Sequence, residues 1–64
     1  EMKFRIVVMG FKLISEGNYQ TKTETYVVAG ANMGEAEDVA MAAFGQDYSE
    51  FDHLVDIVFS EVLE

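Results

Sequence analysis

His53 stands beside Asp52, with Asp56 three residues on. An imidazole next to carboxylates is the raw material of a general base. One histidine at the start of an apolar run is more simply a surface residue, and that reading is preferred. No cysteine offers a nucleophile, and Ser15, Ser49 and Ser60 lack the Gly-x-Ser-x-Gly setting that activates a serine. The carboxylates Asp47, Glu50, Asp52 and Asp56 have the oxygen chemistry that a divalent cation needs. Their spacing is not that of a calcium-binding loop, and a solvated acidic loop accounts for them. Gly30-Ala31-Asn32-Met33-Gly34 precedes a helical pattern, where phosphates can bind. It lacks the dinucleotide and P-loop patterns, and Glu35, Glu37 and Asp38 just beyond it would repel a phosphate. No catalytic residue, metal ligand or cofactor is therefore expected.

Charge is the feature that bears most on function. Residues 1–22 hold Lys3, Arg5, Lys12 and Lys22 against two acids, whereas residues 23–64 hold ten acids and no lysine or arginine. The formal net charge is −8. An anionic surface of this kind repels nucleic acid and membrane headgroups and attracts basic proteins. Glu37, Asp38, Asp47 and Glu50 are the expected partner-binding residues. Spaced carboxylates can also mimic DNA phosphates, although net charge alone keeps a small domain in solution and is the simpler account. A competing reading uses Lys3, Arg5, Phe11 and Tyr26, with Phe4, Lys12 and Lys22, as an aromatic, cationic sheet that stacks single-stranded bases. Four cations against twelve acids make that a poor nucleic-acid binder. A small metal-dependent enzyme built on His53 and its neighbouring acids is the remaining alternative.

The elements that must carry these residues follow from periodicity. Residues 3–13 are β-branched and aromatic, with Phe4, Ile6 and Val8 on one face and Arg5, Val7, Met9, Phe11 and Leu13 on the other. Apolar residues on both faces mark a central strand, with Gly10 as a bulge or a point of close approach. Ser15-Glu16-Gly17-Asn18 is a turn in which Gly17 and Asn18 can take positive φ. Residues 20–29 alternate Thr21, Thr23, Thr25 and Val27 with Lys22, Glu24, Tyr26 and Val28, as an edge strand does. Asn32 with Glu35 resembles a capping box that opens a helix. Glu35, Glu37 and Asp38 suit its positive end. Ala36, Val39, Ala40, Ala43 and Phe44 form its apolar stripe, Gly45 is expected to end it, and Gln46–Phe51 reads as a polar loop. In residues 53–62, Val55, Ile57 and Phe59 alternate as in a strand. Leu54, Val58 and Val62 also permit a helix, and the strand is preferred.

The order is β-β-α-β in one α+β domain spanning residues 1–64. A right-handed crossover places the third strand beside the first, giving an antiparallel sheet of order 2-1-3 with one helix on one face. The other face has no cover, so Val7, Met9 and Phe11 are expected to form a homodimer interface, or Ile6 and Val8 if a bulge at Gly10 reverses the register. Sixty-four residues without disulfide or metal are near the lower limit for folding alone, which favours self-association. No apolar run is long enough to span a membrane, and the lack of cysteine fits a reducing, cytoplasmic setting. Met2 reads as the natural start and Leu63-Glu64 as the remnant of a tag.

Thr23-Glu24-Thr25-Tyr26-Val27-Val28-Ala29, Gly34-Glu35-Ala36-Glu37 and Asp56-Ile57-Val58-Phe59-Ser60-Glu61-Val62 together resemble small uncharacterised bacteriophage and prophage proteins. Those run as an extended hairpin, a helix opened by Glu-Ala-Glu and a closing strand ending near Ser-Glu. Such proteins have no defined functional residues, so none carry over. The resemblance implies a phage-type accessory protein. Taken with the acidic charge, the preferred reading is a non-enzymatic protein-binding module, such as a phage-encoded inhibitor that docks on a basic surface of a host nucleic-acid-processing protein.

Overall fold

A computed structural model describes residues 1–63, and Glu64 lies outside it. Strand β1 (Met2–Ser15) and strand β2 (Asn18–Gly30) form a long hairpin. Helix α1 (Met33–Asp47) crosses one face, and strand β3 (Leu54–Val62) returns beside β1. The sheet order is β2-β1-β3 and both pairings are antiparallel. The apolar central strand and the α+β arrangement are as the residue pattern requires.

The hairpin turn is shorter than the four residues expected. Only Glu16 and Gly17 lie between the strands, and Gly17 carries the positive φ of 78°. Asn18 already belongs to β2, and no residue other than glycine among those described has positive φ. Ile14 is the extra residue that lets the register pass from Leu13↔Tyr19 to Ser15↔Asn18.

Gly10 makes no bulge. It pairs in register with Lys22 on one side and Val55 on the other. Its role is close approach: the ring of Phe44 and the backbone oxygen of Phe51 fill the space where a Cβ would stand. The bulge lies in β3 instead, where Val58 is inserted between Ile57↔Val8 and Phe59↔Val7. Strict alternation would put Phe59 with Val55 and Ile57. The inserted residue moves Phe59 to the opposite face.

The helix begins as its cap dictates. Asn32 Oδ1 accepts the Glu35 N–H at 2.9 Å, and Glu35 Oε1 accepts the Ala31 N–H at 3.2 Å, one residue earlier than in a standard capping box. Asn32→Ala should lower stability by about 1 kcal/mol by leaving a helix-terminal N–H unpaired. A thermal melt unchanged within error would show that the cap contributes nothing.

Gly45 does not stop the helix, which continues to Asp47 and is closed by the Tyr48 N–H on the Phe44 carbonyl at 2.8 Å. The residues facing the sheet explain this. Ala36, Ala40 and Phe44 are buried at successive turns, and Tyr48 packs one turn further on. Val39, expected on this stripe, is exposed. The two alanines bring the helix axis close to Phe4, Ile6 and Val8, all fully buried. Phe51 is also buried and seals the end of the core, so the segment after α1 is not the wholly polar loop its composition implied.

Candidate functional site

Cross-strand pairing places residues at the same level on the same face of a sheet. On the face away from α1, β1 contributes Arg5, Val7, Met9, Phe11 and Leu13. Their partners on β2 are Val27, Thr25, Thr23, Thr21 and Tyr19. Because of the Val58 bulge, β3 adds Glu61, Phe59, Asp56 and Leu54 to the same face. Val7, Met9 and Phe11 run half-buried along its centre. Around them Val27 is 62% exposed, Leu54 58% and Phe59 50%. Nothing else among the described residues covers this face.

The expected contact residues Val7, Met9 and Phe11 therefore do lie on the uncovered side. The alternative set, Ile6 and Val8, is core. Sequence reasoning missed Val27, Leu54 and Phe59. Val27 shares its face of β2 with Thr21, Thr23 and Thr25, a mainly polar row whose side of the sheet the alternation alone does not assign. Phe59 was hidden by the bulge, which appears only when β3 is aligned against β1.

One end of the face holds a shallow pocket of about 240 Å³ lined by Phe11, Tyr19, His53 and Leu54. The Tyr19 and His53 rings are 5.0 Å apart, and Phe11 meets Tyr19 edge-on at 6.4 Å. His53 thus belongs to an aromatic cluster. No hydrogen bond joins it to Asp52 or Asp56 among the described residues, and Asp56 Oδ1 accepts its own neighbour's Ile57 N–H. A base oriented by a carboxylate, the geometry of general-base catalysis, is not assembled. Among the described residues no three acids, histidines or cysteines gather as a metal cage.

The four expected partner-binding acids are not gathered in one place. Glu37 is half-buried against β3, where Ser60 Oγ donates to its Oε2 at 2.6 Å. Asp47 lies on the β2 flank, where Tyr26 O–H donates to Oδ2 at 3.0 Å. Asp38 and Glu50 are exposed. Next to Asp47, Tyr48 O–H donates to Glu24 Oε1 at 2.6 Å, and Lys22 Nζ sits 4.8 Å from the Tyr48 ring.

This cluster predicts alkaline sensitivity. Partial burial, then the hydrogen bond to Asp47, pushes the Tyr26 phenol well above its ordinary 10.0. The hydrogen bond to Glu24, then burial, raises that of Tyr48. Each folded phenol holds its proton more tightly than the unfolded one does. The associated stability is fully present below the unfolded value of 10.0 and is lost as pH rises from there towards the raised folded values. Urea midpoints should be flat up to about pH 9 and fall by pH 11. Tyr26→Phe should flatten that fall, and an equally steep fall in the variant would remove Tyr26 as its cause.

The cations are drawn into the same local contacts. Arg5 pairs with Glu61 across the β1–β3 ladder, and Lys12 lies 5.9 Å from the Phe51 ring. The proposed base-stacking residues are split between two faces. Lys3, Arg5 and Phe11 lie on the open side. Tyr26 faces α1, and Phe4 is buried beneath the helix. No helix among the described residues is long and apolar enough to cross a membrane. No protein-family model, curated protein or solved structure matches the chain.

Proposed function

We propose that the protein is a non-enzymatic binding module whose anionic helical side docks on a basic protein. The supporting observation is the separation of charge in the fold. Every lysine and arginine lies on the β1–β2 hairpin, and three of the four are engaged by groups outside it: Arg5 by Glu61 of β3, Lys12 by the Phe51 ring and Lys22 by the Tyr48 ring. Residues 31–53, which form α1 and its flanking loops, carry no lysine or arginine and expose Asp38, Glu50 and Asp52. Lys12 and Lys22 reach this side beside Phe51 and Tyr48 and offset part of the field these acids project; the net field is anionic, so it steers cationic surfaces and rejects phosphates. A basic groove that ordinarily holds nucleic acid is the kind of partner this surface suits. A phage accessory protein acting on a host nucleic-acid-processing protein would have that use for it.

Asp38 and Glu50 are the residues to reverse, because Glu37 and Asp47 also hold Ser60 and Tyr26 and their loss would disturb the fold. The tagged protein and its Asp38→Lys/Glu50→Lys variant are used to capture proteins from a bacterial lysate at low and moderate salt. The expected result is a basic protein retained by the parent, released as salt rises, and lost by the variant. Equal capture by both would leave the acids as solubilising residues. Tight binding of single-stranded oligonucleotide by the purified protein at moderate salt would favour the nucleic-acid reading instead.

A further inference from the structure

We propose that the free edge of β2 pairs with the same edge of a second copy, antiparallel about a two-fold axis at Thr23, so that two sheets join as one. This contact is separate from the expected Val7, Met9 and Phe11 face, and it does not depend on the basic partner.

The two edges of the sheet are not alike. β3 is nine residues long, is interrupted by the Val58 bulge and carries Asp56 and Glu61. Bulges, charges and shortness keep an edge from recruiting another strand. β2 runs for 13 residues, pairs with β1 in unbroken register from Tyr19 to Gly30 and contains no proline. No strand lies on its outer side among the described residues. An antiparallel edge strand turns every second residue's N–H and C=O outward, and here they face no partner strand.

The residue order along this edge selects its own copy. With the axis at Thr23, residues 18–28 of each strand overlap. Each residue after Thr23 then meets the one equally far before it. Lys22 faces Glu24 of the other copy, twice over, on the helix side of the sheet. Thr21 faces Thr25. Tyr19 faces Val27 on the open side, where they are 49% and 62% exposed in a single copy. Opposite charges, paired threonines and an aromatic ring against a β-branched residue are all favourable cross-strand pairs. Other registers lack this pattern. Centring on Lys22 or Glu24 sets like charge against like, and centring on Thr25 sets Lys22 against Val28. Centring on Thr21 leaves only residues 18–24 overlapping.

Both charges are available. Lys22 meets the Tyr48 ring but no carboxylate among the described residues. Glu24 accepts the Tyr48 O–H through Oε1, which leaves Oε2 for the other copy's lysine. Ladder hydrogen bonds supply the affinity, as in other cases of strand addition at an exposed edge, so a large apolar area is not required. The helices leave room. Phe44 holds the last turns of α1 over Gly10 of β1. In the joined sheet the two β1 strands stand three strand spacings apart, roughly 14 Å. Helices pack at about 8–10 Å, so the two fit side by side. An axis perpendicular to the sheet keeps both helices on one side, and the two anionic helical surfaces then face the same way.

The test is light scattering on the full chain, diluted from about 100 µM, well above micromolar dissociation constants. The expected mass at the highest concentration is that of a dimer, and a monomer there would overturn the proposal. Lys22→Glu and Glu24→Lys each turn two attractive pairs into repulsive ones and should each raise the dissociation constant roughly tenfold. Circular dichroism checks that each variant keeps its fold. Mixed in equal amounts, one chain presents only acids at these two positions and the other only lysines, so a heterodimer at least as tight as the parent should form. Variants that dimerise as the parent does, or a mixture no tighter than its components, would overturn the pairing.

Cysteine variants test the register with both charges in place, since the chain has no cysteine of its own. Thr23→Cys should form a disulfide-linked dimer on mild oxidation, because opposed residues have Cα atoms about 4.5–5.5 Å apart. Thr25→Cys should not link to itself, as the two sulfurs would lie roughly 13 Å apart along the strands. It should link to Thr21→Cys when the two are mixed. Failure of Thr23→Cys to link, or equally ready linking of Thr25→Cys to itself, would overturn the axis at Thr23.

Discussion

Gly10→Ala is expected to remove a large share of the protein's stability, although it adds a single methyl group. The new Cβ would stand 2.5 Å from Phe44 Cε1 and 2.6 Å from the Phe51 backbone oxygen. Real carbon atoms do not approach that closely, so something must move. The Phe44 ring can swing only by displacing a fully packed core, and the Phe51 carbonyl can shift only with the segment that seals it. Overpacking of this kind costs about 1–3 kcal/mol or more. A domain of this size holds in all about 3–10 kcal/mol. Urea denaturation of parent and variant measures the loss directly. Pairing Gly10→Ala with Phe44→Leu should recover part of it, because the smaller side chain vacates the ring contact but leaves the Phe51 oxygen in place. A variant as stable as the parent would mean that α1 sits further from β1 than described.

Phe44→Ala should be the most damaging single truncation. Phe44 is wholly buried, meets the Tyr48 ring at a tilt with centroids 5.3 Å apart and fills the space over Gly10. Removing a buried phenylalanine side chain costs about 3–5 kcal/mol in lost transfer energy and cavity formation. Here the glycine beneath makes the cavity larger, and β1 has no side chain at that level to relax into it. The expected outcome is loss of the cooperative thermal transition. Retention of most of the parent's urea midpoint would assign the core's stability to Phe4, Ile6 and Val8 instead.

The contrast between these core residues and the candidate surfaces shows what the residue order could and could not reveal. The alternation of Phe4, Ile6 and Val8 with Val7, Met9 and Phe11 has only one geometric solution, a strand that is apolar on both sides, so the central position of β1 was legible. Asn32 with Glu35 was legible because capping is local. Gly45 misled because a glycine's tendency to end a helix is weaker than the packing of Phe44 and Tyr48 on either side of it. The Val58 bulge left no mark in β3 alone, since an inserted residue is defined only against a partner strand. The acids show the same limit. Their number was evident, but whether Glu37 and Asp47 face solvent or bind Ser60 and Tyr26 depends on which flank of the helix each occupies.

The pairing of β1 with both its neighbours also sets the sequence of events by which the chain can acquire its shape. The hairpin closes locally, from Leu13↔Tyr19 outward, while the β1–β3 ladder includes Phe4↔Val62, residues from nearly opposite ends of the chain. Contacts so far apart form late, because the intervening loop must lose its freedom before they return anything. Until β3 arrives, one whole edge of the most apolar strand is bare, and its amides and carbonyls are a template for any other β strand nearby. A newly made molecule therefore passes through a state more adhesive than its final form, and dilution or rapid closure by β3 limits aggregation.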